Sequence, residues 1–325
     1  MVKQMLSAAL LAACASHSLA DYREHSEAQA FMHEMQAQNV ATEAQLDQWF
    51  ASAKKQQSIL EAIARPAEKT LTWAQYAKIF LTGDRIQKGV DFWREHKDTL
   101  ARAEQTYGVP AAMIVAIIGV ETRYGRTMGN YRVLDALSTL AFDYPPRASF
   151  FRKELQHFLQ LTQEQKQDPL LLKGSYAGAM GYGQFMPSSF RHYAVDFDGD
   201  EIADIWANPV DAIGSVANYF AEHGWQTGQP VTTRVRVSDN FDASLLNTTL
   251  KPDTTTAAAR KAGFSPVLEL PDAEPLTLYK LDGEHGAEFW AGTQNYYVIT
   301  RYNRSRMYAL AAYQLSQAIE RKYSQ

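Results

Sequence analysis

Met113-Ile-Val-Ala-Ile-Ile-Gly-Val-Glu121-Thr-Arg-Tyr-Gly125 places one carboxylate at the end of a segment that is otherwise almost wholly apolar. Pro110 suits a first helical turn and Gly125 a stop, so the spacing predicts one helix from Pro110 to Tyr124. Apolar residues on every face of that helix are the pattern of a core helix. Glu121 then lies one turn beyond Ile117 and Ile118 on the same face. Desolvation there would disfavour the carboxylate and raise its pKa, which is how a carboxylic acid becomes a proton donor near neutral pH. The alternative is a glutamate that ends the helix and pairs with Arg123 or Arg126, and this segment alone does not choose between the two.

The 325 residues, 46% hydrophobic and 21% charged, describe a soluble protein large enough for a substantial core and two or three domains. A formal net charge of -4, with no block of five or more basic residues, excludes the electrostatic footprint of a nucleic-acid binder. The 17 Tyr and 6 Trp suit flat, hydroxylated ligands such as sugars as well as ordinary cores. The only cysteine, Cys14, falls in an N-terminal export signal in which Lys3 supplies the positive charge and Met5 to Ala13 a short apolar run. That run is too short to span a membrane, which takes about 20 apolar residues. Two processing sites compete: Leu11-Ala12-Ala13-Cys14 looks like a bacterial lipobox, and Ser18-Leu19-Ala20 like a signal-peptidase site before Asp21. The position of the lone cysteine favours lipidation of Cys14 and an outer-membrane-anchored lipoprotein; cleavage after Ala20 would give a soluble periplasmic protein. Both routes lead to the bacterial envelope.

Residues 1–20 are therefore expected to be the export signal and 21–106 an α-helical domain. Capping boxes are expected at Thr42/Gln45, Thr72/Gln75 and Asp84/Gln87. Residues 107–225 are mainly helical but carry a Gly-rich loop and an acidic loop, and the motifs concentrate there. Residues 226–298 change texture: Val231 to Val237 alternates with period two, and Leu276 to Leu281, Glu288 to Ala291 and Tyr296 to Thr300 also read as strands. Ser238 to Ala273 reads as loop with one short helix around Thr255 to Ala262. Residues 299–325 close the chain, with a helix from Met307 to Arg321 packing back on earlier helices.

Ser175-Tyr-Ala-Gly-Ala-Met-Gly-Tyr-Gly-Gln184-Phe-Met-Pro-Ser188 has three glycines that let backbone approach a ligand or another segment. It lacks the Gly-Lys-Ser/Thr of a phosphate loop, and composition alone favours a tight interhelical turn. Gln184, between Gly183 and Phe185, is placed to hydrogen-bond an amide or hydroxyl. Asp196, Asp198, Asp200 and Asp204 occupy positions 1, 3, 5 and 9 of an EF-hand-like loop, with the Ile202 carbonyl at position 7 and helices expected on both sides. Position 6 is Glu201 instead of Gly and position 12 is Ala207 instead of Glu, so Asp211 would have to close the shell. The pattern points to Ca²⁺, against the alternative of acidic residues on a solvated loop. No organic cofactor motif, Gly-x-Ser-x-Gly elbow or His-Glu-x-x-His is present. His223, before Gly224, is read as a helix C-cap.

With Glu121 in Gly-Val-Glu-Thr-Arg-Tyr-Gly, the Ser175 to Ser188 stretch, the acidic loop and Thr300-Arg-Tyr302-Asn303, the chain resembles the membrane-bound lytic murein transglycosylase B family. The resemblance implies an α+β, mainly α fold: a lysozyme-like core domain holding the catalytic Glu, flanked by an α-helical domain and a small β domain, with one structural Ca²⁺ site. It implies Glu121 as acid/base and Ser175, Gln184, Phe185, Tyr219, Tyr302, Asn303 and Tyr308 along a glycan cleft. Arg147 matches one of two arginines in the family's Tyr-Pro-Arg-Arg segment; Pro146 stands in place of the other, which puts one substrate contact in doubt. The implied partner is the peptidoglycan glycan strand, with the outer membrane reached through Cys14 and complexes with other cell-wall enzymes left open.

One good carboxylate in an apolar helix suits a lytic transglycosylase better than a two-carboxylate glycosidase. The rivals are a hydrolytic muramidase, with a second carboxylate such as Asp143, and a non-catalytic, Ca²⁺-stabilised glycan-binding envelope protein in which Glu121 only caps a helix.

Overall fold

A computed structural model describes residues 22–64 and 71–325; the export signal and Cys14 lie outside the described residues. Six helices come first: α1 (Ser26–Ala37), α2 (Glu43–Ser52), α3 (Gln57–Ile63), α4 (Trp73–Phe80), α5 (Gly83–Glu95) and α6 (Lys97–Tyr107). Thr42 and Thr72 start α2 and α4 as reciprocal capping boxes with Gln45 and Gln75. The third expected box is corrected. Thr82 caps α5, accepting the Arg85 N–H at 3.2 Å, while Asp84 sits inside the first turn and pairs with Lys88. An anion in the first turn gains from the helix dipole without being the cap.

The central helix is α7 (Ala111–Thr122), in which every residue from Ala111 to Val120 is buried. Burial of each Ile or Val side chain there contributes about 1.5–3 kcal/mol, so α7 anchors the fold around it. Pro110 is its N-cap, and it ends on Arg123 and Tyr124, both left-handed at φ 51° and 62°, two residues before the glycine expected to stop it. Next come β1 (Tyr131–Arg132), α8 (Val133–Asp143), α9 (Ala148–Glu164) and β2 (Lys173–Gly174), with β1 and β2 paired antiparallel. Then α10 (Pro187–Tyr193) and α11 (Pro209–Glu222) flank the acidic loop, and His223 caps α11.

The β-rich part is one antiparallel sheet, ordered β4 (Thr254–Thr255), β6 (Pro275–Gly283), β7 (Gly286–Gly292), β3 (Thr232–Val237) and β5 (Phe264–Pro266). α12 (Thr256–Lys261) lies beside it, over a small separate core of Val235, Ala259, Phe264, Leu276, Leu278 and Ala291. Tyr296 to Thr300 is not a strand: it belongs to α13 (Gln294–Tyr302). Asn295, Tyr296, Val298, Ile299 and Thr300 are buried while Arg301 is exposed, and Asn295 binds the carbonyls of Gln226 and Gln229. Packing thus overrides the β propensity of Tyr-Tyr-Val-Ile-Thr. Finally α14 (Arg306–Tyr323) packs back on α7, α5 and α4. The fold is α+β and mainly helical, and no single described helix is long and apolar enough to cross a membrane.

Candidate active site

Glu121 emerges half-buried in the last turn of α7. Two distant elements fix that turn. Arg85 of α5, itself buried, donates from Nη1 to the Gly119 carbonyl at 2.7 Å, and the Tyr124 hydroxyl donates back to the Arg85 carbonyl at 2.8 Å. A cation on the C-terminal carbonyls of a helix is favoured by its dipole. From α14, the Tyr308 hydroxyl donates to Glu121 Oε1 at 2.5 Å. Tyr308 is 3% exposed, and burial, followed by the charge of Glu121, pushes its phenol well above the usual range. It therefore keeps its proton and acts as a donor at neutral pH.

The Gly-rich stretch is locked beside Glu121. Thr122, the next residue in the chain, donates to the Tyr182 carbonyl at 2.9 Å. Isolated bridges Gly174–Met180 and Met180–Phe185 fold the stretch on itself, so the tight turn expected from its composition is a double turn packed on the core. Gly181 has φ +67°, and a Cβ there would lie 2.4 Å from the Ile205 carbonyl oxygen. Gln184 is left-handed at φ 51°; its Nε2 donates to the carbonyls of Met128 and Gly181, which leaves Oε1 to accept from a ligand. Ser175 Oγ accepts the N–H groups of Ala177 and Ala179, leaving its hydroxyl proton to donate.

Behind this loop stands an aromatic cluster. The Tyr302 hydroxyl donates to the Gly183 carbonyl at 2.6 Å and the Tyr219 hydroxyl to the Arg301 carbonyl at 2.7 Å, with their ring centroids 4.7 Å apart. Burial and then the charge of Glu121 raise the Tyr302 phenol, which sets that ring within the field of the carboxylate. Asn303 caps α13 in extended conformation at the head of the turn that leads to Tyr308. Phe185, 3% exposed, stands behind Tyr219 and Tyr302 at 5.7 and 6.0 Å. It supports the cluster and has little surface to offer a ligand.

Arg147 is exposed at the start of α9, with its guanidinium 4.3 Å from the Phe150 ring centroid. Asp143, the second carboxylate a muramidase would need, is committed elsewhere: it accepts the Tyr22 hydroxyl at 2.6 Å and pairs with Lys55. Sequence reading missed Arg85, whose only signal is a cation in the first turn of an amphipathic helix. It also missed Tyr176, next to Ser175 and 42% exposed, an open ring of the kind sugars stack on.

The acidic loop gathers Asp196, Asp198, Asp200 and Asp211, each offering an oxygen within 4.8 Å of the others. Oxygens around one Ca²⁺ at 2.3–2.6 Å lie up to about 5 Å apart, so the four fit the ion. Asp211 is fully buried and accepts the N–H groups of Phe197 and Asp204. Burial nevertheless holds its carboxyl above the usual range, as expected of an acid facing other carboxylates. Glu201 takes the left-handed position at φ 73° that glycine fills in an EF-hand. Asp204 lies outside the cluster of four, and its Oδ1 accepts the N–H groups of Trp206 and Ala207 at 2.8 and 2.9 Å, capping the turn that leads to α11. No described contact involves the Ile202 carbonyl, while the Ile202 N–H donates to Asp200.

Comparison with known proteins places this arrangement. The family model for the transglycosylase SLT domain matches residues 23–317. Membrane-bound lytic murein transglycosylase B of Escherichia coli (strain K12) is 45% identical over 308 residues, 92% of this chain and 84% of that protein. The structure of catenated lytic transglycosylase SltB1 from Pseudomonas aeruginosa is 52% identical, with a TM-score of 0.90 over 93% of this chain and 100% of that one. An Escherichia coli lytic transglycosylase solved in complex with calcium is 44% identical, with a TM-score of 0.86 over 94% of this chain and 96% of that one.

Proposed function

The chain belongs to the transglycosylase SLT-domain family, and from that premise we propose that Glu121 is the single acid/base of a peptidoglycan lytic transglycosylase. The enzyme is a lyase on the glycan of the cell wall and forms 1,6-anhydro products. In our assignment Glu121 protonates the oxygen of the β-1,4 bond between N-acetylmuramic acid and N-acetylglucosamine as the C1–O bond breaks. The 2-acetamido group shields the cationic C1. The Glu121 carboxylate then takes the proton of the C6 hydroxyl, and the C6 oxygen bonds to C1. Glu121 returns to its acid form and no water is consumed.

The observation that carries this assignment is the Tyr308 hydrogen bond to Glu121 Oε1, which fixes the carboxyl at the end of α7. Oε1 gains a donor whose proton is retained, so carboxylate charge formed after proton transfer is stabilised. Ser175, Gln184, Tyr219, Tyr302 and Asn303 are assigned to the glycan cleft around it, Phe185 to its backing and Arg147 to its rim. The muramidase alternative loses ground because Asp143 is tied to Tyr22 and Lys55. Glu121→Gln tests the assignment: lysis of sacculi should fall by about 10²–10⁴-fold with melting and sacculus binding retained. Activity within a few-fold of the parent would reject Glu121.

Ca²⁺ is assigned to Asp196, Asp198, Asp200 and Asp211, where it neutralises converging carboxylates and ties α11 to the loop. The protein acts in the periplasm, and acylation of Cys14 would hold it at the outer membrane. Mass spectrometry of the native N-terminus separates acylated Cys14 from a free Asp21.

A further inference from the structure

Below the α13–α14 turn lies a cavity of about 430 Å³ lined by Thr249, Lys251, Arg301, Arg304 and Arg306, with no carboxylate in its wall. None of these four cations forms an ion pair among the described residues, and Asp253, close along the chain to Lys251, accepts the Thr248 hydroxyl at 2.6 Å. Arg306 is the built element. Its Nη2 donates to the Thr249 carbonyl at 3.1 Å, while its buried Nε has no hydrogen-bond partner among the described residues. Arg306 also begins α14, an 18-residue helix whose N-terminal dipole adds positive potential. A pocket walled by four cations and no acid matches a carboxylate.

The pocket shares its turn with the cleft. Tyr302 and Asn303 lie between Arg301 and Arg304, and Tyr308 follows Arg306 by two residues. The Arg301 carbonyl accepts from Tyr219. The pocket and the cleft therefore flank one turn, which makes a side group of a polymer held in the cleft the ligand to consider first. The glycan itself is neutral once each lactyl carboxyl is in amide linkage, so the carboxylates within reach are those of the attached peptides. Resting on the transglycosylase reading above, we infer that Lys251, Arg301, Arg304 and Arg306 form a specificity pocket for a carboxylate of the peptide stem.

Rates on glycan strands with native stems, with stems amidated by carbodiimide and ammonia, and with stems removed to leave the lactyl carboxylate test this. The parent enzyme should lose about tenfold in kcat/KM on amidated strands and on stem-free strands. The Lys251→Ala/Arg304→Ala double variant should lose as much on native strands and be indifferent to amidation, and Arg304→Lys should retain most of the preference. Equal parent rates on native and amidated strands, or a double variant that still discriminates, would overturn the inference. Full parent activity on stem-free strands would assign the pocket to the lactyl group instead and also overturn it. If the parent cleaves none of these strands, the functional reading itself has failed. Calorimetric binding of the free tetrapeptide stem then reads the pocket without turnover: binding lost in the double variant supports it, and equal binding rejects it. The melting temperature of the double variant, expected within a degree or two of the parent because both side chains are exposed, separates loss of contact from loss of fold.

Discussion

Tyr308→Phe removes one hydroxyl and nothing else from the centre of the proposed site. The ring is 3% exposed and its packing in α14 is retained by phenylalanine, so the effect isolates the 2.5 Å bond to Glu121 Oε1. A hydrogen bond to a charged group contributes about 1.5–3 kcal/mol, and about 1.4 kcal/mol is tenfold in rate, so kcat should fall by about 10- to 150-fold. KM should change little, because the hydroxyl faces the carboxylate. Release of soluble muropeptides from purified sacculi, followed against substrate concentration, measures both constants. A loss under twofold would refute the idea that Tyr308 poises Glu121. A loss beyond about 150-fold that equals the measured loss of Glu121→Gln would make Tyr308 itself a proton-transfer group and refute the division of roles.

Gly181→Ala should destabilise the fold by about 2 kcal/mol or more, since φ +67° disfavours an L side chain and the Ile205 carbonyl leaves no room; a thermal melt reads it, and an unchanged melting temperature would contradict the double-turn geometry. Saturating Ca²⁺ at about 100 times its Kd should add about 2.7 kcal/mol of stability, and Asp211→Asn should abolish that gain; a melting curve indifferent to chelator, starting from metal-loaded protein, would count against the site. Burial holds His96, His157 and His223 below the ordinary 6.5, so the unfolded chain binds more protons as pH falls. Their contribution is complete above about pH 6.5 and is lost as pH drops below it through their folded values; a melting temperature that rises from pH 7 to pH 5 would contradict that sign.

The helix that presents Glu121 was legible because its residues are apolar on every face, a pattern only a core position explains. The strands at 232–237, 275–283 and 286–292 were legible from alternation or from β-branched and aromatic runs. The same composition misled at Tyr296 to Thr300, where burial on the helical core and the Asn295 contacts decide for helix. What makes Glu121 a site was less legible. Tyr308 is 187 residues away in sequence, and Arg85, buried against the end of α7, looks like any surface cation of an amphipathic helix. In the acidic loop, spacing alone could not tell that Asp204 turns its carboxylate to the backbone of Trp206 and Ala207.

The most direct test of a single acid/base with an internal acceptor is digestion of sacculi in heavy-oxygen water, with the products read by mass spectrometry. If the Glu121 carboxylate activates the C6 hydroxyl, the muropeptides will be 1,6-anhydro species, lighter than the hydrolytic products by one water, free of heavy oxygen and without new reducing ends. Glu121→Gln will release almost none. Products carrying one heavy oxygen at a new reducing end would mean that water reaches C1, and would contradict the account.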